Sequence, residues 1–101
     1  METPQGQTDH KQLYRSRQAA IANLLKKLRK ERGLTQAEVA LLTGVDQSAI
    51  SKLESGERGI KFVEVDFFAN ALGIGVGHFT RTVLETMWES DDPPLLTQNH
   101  T

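Results

Sequence analysis

The chain has no cysteine among its 101 residues. That excludes disulfides and Cys-ligated zinc, and it fits a reducing cytoplasm, the expected location. No apolar run approaches the roughly eighteen residues that a membrane-spanning helix needs, so no membrane partner is expected. The opening METPQGQTDHKQ has no apolar core, so no signal peptide is expected. The three histidines, His10, His78 and His100, are scattered. None stands at metal-ligand spacing from a carboxylate or another histidine, so no metal site is expected. No segment alternates at period two, so no strands are expected. No nucleophile stands beside a base, which argues against an enzyme, and no cofactor site is visible. GIGVG at residues 73–77 lacks the GxGxxG spacing and a preceding strand, so it reads as a helix cap and a loose connection.

Net charge is also small, a formal −1, but it is unevenly spread. Residues 1–61 hold eleven Lys or Arg against seven acids, whereas residues 62–101 hold one Arg against six acids. Such a division can give one small domain a basic face and an acidic face, so the near-zero total does not exclude a polyanionic partner.

What is present is helical periodicity. Residues 1–10 are polar, with Pro4 and Gly6, and read as a flexible arm. From about Lys11, an apolar stripe of Leu13 or Tyr14, Ala20, Ile21, Leu24, Leu25 and Leu28 predicts a first helix to about Arg32, in one piece or two. Its C-terminal half is rich in cations, which suit the helix dipole, and Gly33 is its stop. Thr35-Gln-Ala-Glu38 is a capping box that opens a second helix, with Val39, Ala40 and Leu42 on its apolar side. Gly44 ends it, and Asp46 is read as the next N-cap. A third helix runs from about Gln47 to Glu54 with Ala49, Ile50 and Leu53 inward. After the SGERG turn, a fourth helix is expected near 63–72, with Val65, Phe68, Ala69 and Leu72 inward. A fifth is expected from Gly77 or His78 to Glu89. Residues 11–90 therefore form one all-α domain. Residues 91–101, with Pro93 and Pro94, read as a flexible tail.

The second and third helices form a unit. Two steeply crossing helices need a small residue near the crossing, which Ala40 supplies, and a turn of positive φ, which Gly44 supplies. Val39, Val45, Ile50 and Leu53 lock the pair. The third helix then exposes Gln47, Ser48, Ser51 and Lys52, groups that can donate or accept at base edges and phosphates.

RKERGLTQAEVALLTGVDQSAISKLESGERGIKFVEVDFFANALGI resembles the phage-repressor and Cro-type (Xre) helix-turn-helix family. Its most specific parts are RxxxGLTQxExA, GVxxSxISxLExGxR and ALGI at matching spacings, and the resemblance spans residues from about 20 to 76. It implies a five-helix, lambda-repressor-like all-α domain, with short disordered tails on either side. It also implies a transcriptional regulator, and more often a repressor, that binds double-stranded operator DNA at the nucleoid. A homodimer would sit on an inverted repeat with half-sites about 34 Å apart. By position, Gln47 and Ser48 would face bases, and Gln47 can bond adenine N6 and N7 together. Lys52 would reach guanine or a phosphate, and Ser51 lies between these roles. Gln36 would touch a phosphate and could brace Gln47. Ser55, Arg58 and Lys61 would hold the backbone, which positions the protein without reading sequence. The resemblance also implies a partly buried structural pair, Arg29 with Glu54.

Two features depart from the pattern. Asp46 puts an anion where phosphates would lie, and GIKFVEVDFF is unusually apolar, with Phe62, Phe67 and Phe68 too many for one inner face. On the fifth helix, Phe79, Val83 and Met87 recur every four residues beside Leu84 and Trp88. That stripe is wider than a core of this size needs. Trp88, with Leu84 or Met87, is therefore expected to make an isologous dimer contact. The rival reading is an antitoxin that covers a toxin with its arm or tail and regulates its own operon. Any such protein partner is unknown from sequence.

Overall fold

The computed structural model describes residues 3–91, with side chains described from His10 onward. The expected tail, apart from Asp91, lies outside the described residues. Five α-helices follow in order: α1 (Thr3–Glu31), α2 (Gln36–Thr43), α3 (Gln47–Ser55), α4 (Val65–Ala71) and α5 (Val76–Glu89). A short 3₁₀ turn, Phe62–Glu64, leads into α4. Among the described residues there is no strand, and no helix is long and apolar enough to cross a membrane.

The first helix is one piece. It begins at Thr3 rather than near Lys11, so residues 3–10 continue the helix where an arm was expected. Pro4 fits its first turn, where the missing N–H costs nothing. No apolar stripe marks those turns, and a helix already nucleated downstream extends at little cost per residue. At the other end Gly33, at φ +70°, closes the helix. Its N–H donates to the Lys30 carbonyl at 2.9 Å, and Leu34 N–H donates to the Arg29 carbonyl at 3.1 Å. These are the paired bonds of a Schellman cap.

Each helix contributes to one core. Leu25 comes from α1, Val39 from α2, Ile50 and Leu53 from α3, Phe68 and Ala69 from α4, Leu72 from its C-cap and Phe79 from α5. A fully buried Phe79 or Leu53 is worth roughly 1.5–3 kcal/mol relative to exposure. Around this core α1 packs on α5 and α3, α2 on α3 and α4, and α4 on α5.

Of the two candidates for the start of the α1 stripe, Leu13 is half-buried and Tyr14 exposed, and one inward assignment is corrected: Leu42 is exposed, at 58%. Val39 already fills the space beneath α2, so Leu42 turns outward. Ala22, absent from the expected stripe, is buried, and a Cβ added to Gly56 would sit 4.0 Å from its own Cβ. That small-residue meeting lets the C-terminus of α3 approach α1. Two long-range contacts, three hydrogen bonds in all, tie α1 to the second half of the domain. Arg17 grips Asp91 with two bonds, 3.0 and 2.9 Å, joining α1 to the second residue past α5. Arg32 Nε donates to the Leu72 carbonyl at 2.6 Å, supplying a partner at the C-terminus of α4.

Candidate nucleic-acid interface

The candidate interface is built from the two helices joined at Gly44. Thr35 Oγ1 accepts from Glu38 N–H at 3.0 Å, and Thr35 N–H donates to Glu38 Oε1 at 2.8 Å, so the capping box opens α2 as its sequence predicts. Gly44, at φ +79°, closes α2 through a bond from its N–H to the Ala40 carbonyl. A residue that sequence reasoning missed locks this turn. Thr43 is buried; its hydroxyl donates to the Val39 carbonyl at 2.7 Å and accepts from Val45 N–H at 3.1 Å. The only signal was a hydroxyl residue directly before the turn glycine.

Asp46 occupies the N-cap of α3, but its side chain makes no capping bond. Its carbonyl instead takes Ala49 and Ile50 N–H, both at 3.0 Å. Asp46 is thus the N-cap by position, as expected, but without the side-chain bond such a cap usually makes, and it stays exposed, an anion at the start of α3.

Along α3, Ile50 and Leu53 point into the core, while Gln47, Ser48, Ser51 and Lys52 are all exposed. Positions three and four apart on a helix are neighbours, so Gln47 with Ser51, Ser48 with Ser51 and Ser48 with Lys52 join these four side chains into one polar strip. The strip is held from behind by an ion pair. Arg29 Nε and Nη2 donate to the two Glu54 oxygens at 2.6 and 2.9 Å, and Arg29 Nη1 donates to the Leu34 carbonyl at 2.8 Å. Both side chains are largely buried, 11% and 7% exposed. Burial on its own would raise the Glu54 carboxyl. Hydrogen bonds from Arg29 and Gln36, with the charges of Arg29 and Lys26, outweigh it and hold Glu54 below the usual carboxylate range.

The side chains expected to meet phosphate fall into two kinds. Lys61 and Ser55 are exposed, and the Ser55 hydroxyl donates back to the Lys52 carbonyl at 3.1 Å. Gln36 and Arg58 are already engaged. The Gln36 amide braces Glu54 at 3.1 Å, where a brace on Gln47 was expected. Arg58 is paired with Glu64, Nη1 to Oε1 at 3.0 Å and Nη2 to Oε2 at 2.6 Å. Glu64, another residue missed from sequence, is buried in the 3₁₀ turn and also accepts Lys61 N–H at 2.9 Å. The Arg58 bonds, against some cost of burial and with help from Lys61, keep the Glu64 carboxyl low. Farther away, Phe79 lies in the core and Val83 packs on it, while Met87 is half-buried and Leu84 and Trp88 are exposed, Trp88 at 49%.

Comparison with known proteins decides the family. The helix-turn-helix family profile matches residues 25–79, more than half of the chain. The chain belongs to the Xre-type helix-turn-helix family. An uncharacterised HTH-type transcriptional regulator of Sinorhizobium fredii, y4dJ, is 42% identical over 48 residues. That match covers 48% of this chain and 62% of the relative, so the chain spans under two thirds of that relative's length. Among solved structures, the restriction-modification controller protein C.AhdI from Aeromonas hydrophila aligns at 31% identity with a TM-score of 0.57, covering 60% of this chain and 92% of that one. The controller protein C.Esp1396I aligns at 20% identity with a TM-score of 0.63 over 72% and 95% of the two chains, a likeness of fold. C.Esp1396I is also known as a tetramer in complex with its natural 35 base-pair operator, a structure that aligns at a TM-score of 0.62, 21% identity and 71% and 95% coverage. The family that matches is one of helix-turn-helix domains, not an enzyme family.

Proposed function

We propose that the protein is a sequence-specific regulator, a repressor, that sets α3 in the major groove of an inverted-repeat operator as a homodimer. The observation that carries this reading is the division of α3 into a buried apolar face and a continuous exposed strip of Gln47, Ser48, Ser51 and Lys52, clamped by Glu54. Gln47 and Ser48 read bases, Lys52 reads guanine or meets a phosphate, and Ser51 supports either. Gln36, Ser55, Arg58 and Lys61 contact the backbone. Leu84, Met87 and Trp88 form the dimer contact, supported by the exposure of two of them on a helix whose opposite face is buried. Such a protein works in the cytoplasm at the nucleoid.

In vitro site selection tests the whole reading. The expected product is an inverted repeat with half-site centres about ten base pairs apart. Selection of no sequence would overturn it. A second reading, control of a restriction-modification system, is favoured by the 31% identity to C.AhdI. Restriction and methyltransferase genes beside this one would support it. A small toxin gene there would instead favour the antitoxin reading.

A further inference from the structure

Arg58 is fastened at both ends. Its backbone N–H, like that of Glu57, donates to the Lys52 carbonyl in the last turn of α3, at 3.2 and 2.9 Å. Its guanidinium is seated on Glu64, and Nη1 donates a second bond to the Gly59 carbonyl at 3.2 Å. A guanidinium has five N–H groups in a planar fork. Glu64 takes the Nη1–Nη2 end of that fork, and Gly59 takes the remaining Nη1 hydrogen. The Nε–H and one Nη2–H, which share the adjacent edge, have no protein partner. Among the described residues no buried side-chain nitrogen or oxygen lacks a partner, so the unpaired Nε meets solvent.

The geometry points to Glu64 as a positioning residue for DNA binding: it holds Arg58 rigid against α3 with its Nε–Nη2 edge open for bidentate contact with one backbone phosphate. This rests on the proposed DNA-binding reading. Arg suits such a site because its fork matches two phosphate oxygens in parallel. Glu64 has two opposing effects, and their sizes decide the outcome. Its charge repels a phosphate about 7 Å away by about threefold in affinity at the dielectric of water, and by more at the lower effective dielectric of a protein surface. Holding a long side chain in its bound rotamer saves entropy worth up to about thirtyfold. Where the entropy saving exceeds the repulsion, Glu64 strengthens binding although it is an acid, and the sign of the change on removing Glu64 decides it.

The test uses a mixed-sequence 30-base-pair duplex at low salt, where phosphate contacts dominate affinity. R58A is expected to weaken binding about tenfold. It also reduces the slope of log affinity against log salt by about one contact. E64A is expected to weaken binding by about three- to tenfold, and the R58A/E64A double variant to bind no worse than R58A alone. If E64A does not fold, E64Q, which keeps the side-chain volume and one acceptor, takes its place and is expected to change in the same direction. Tighter or unchanged binding by the folded Glu64 variant, or losses that add in the double variant, overturn the positioning role while leaving the DNA-binding reading intact. A wild-type protein with no salt-dependent affinity for the duplex overturns both.

Discussion

Arg29 and Glu54 meet edge to edge, Nε to Oε2 at 2.6 Å and Nη2 to Oε1 at 2.9 Å, and so join the last turn of α1 to the last turn of α3. Gln36 adds a third bond from the first turn of α2. One carboxylate thereby fixes three helices whose ends surround the proposed DNA face.

Removing one partner of this pair strands the other in a largely buried place. R29A and E54A are each expected to destabilise the fold by about 3 kcal/mol. For a domain of this size that lowers the melting temperature by roughly 10–20 °C. Calorimetry checks it; a shift of only a degree or two would show that the pair is as solvated as a surface bridge.

Stability should fall in acid. Glu54, Glu64 and Asp91 all have carboxyls held below their ordinary values, each by an arginine, with burial opposing. A carboxyl lowered on folding stabilises the fold above its unfolded pKa, and that contribution disappears as pH falls through the lower folded value. The melting temperature is therefore expected to be level from about pH 5 to 8 and to drop below about pH 4. E54Q should be less stable at neutral pH but show a shallower acid decline. An equally steep decline in E54Q would assign the acid sensitivity to other groups.

Gln47→Ala removes a side chain that touches nothing in the core. Its melting temperature should match the wild type, while affinity for a selected operator falls by about 1–3 kcal/mol, the range for one bidentate base contact. Competition between operator and mixed-sequence duplex measures it. Equal losses on both duplexes would mean that Gln47 contacts the backbone rather than a base.

Gly44→Ala isolates backbone strain, because a Cβ there would meet nothing within 4 Å yet would sit at φ +79°. A loss of about 1–2 kcal/mol is expected, from conformation rather than collision. Gly44→Asn should lose less, since asparagine tolerates this region better. Denaturant unfolding compares the three proteins.

Trp88→Glu places a charge on the proposed dimer contact. Light scattering should show a monomer at concentrations where the wild type is a dimer, with the helical signal unchanged. If the variant stays dimeric, attention moves to Phe62, exposed at 90%, with Val63 and Phe67 nearby in sequence and also exposed.

The sequence by itself determined the local structure. The Thr35–Glu38 box, the stops at Gly33 and Gly44, the buried pair Ile50 and Leu53 and the polar strip beside them all depend on residues within four or five positions of one another. Bond geometry and helical period govern that range. Even the Arg29–Glu54 pair was anticipated through family resemblance rather than spacing. Tertiary structure decided the rest. No period signals that Glu64 underlies Arg58, because the loop between them has no regular repeat. Nothing local places Arg17 on Asp91, Arg32 on the Leu72 carbonyl or Gln36 on Glu54. These contacts depend on where loops return and how helices cross. The same crossings leave Leu42 outside and bury Ala22, because each apolar face can be covered only where another helix passes over it.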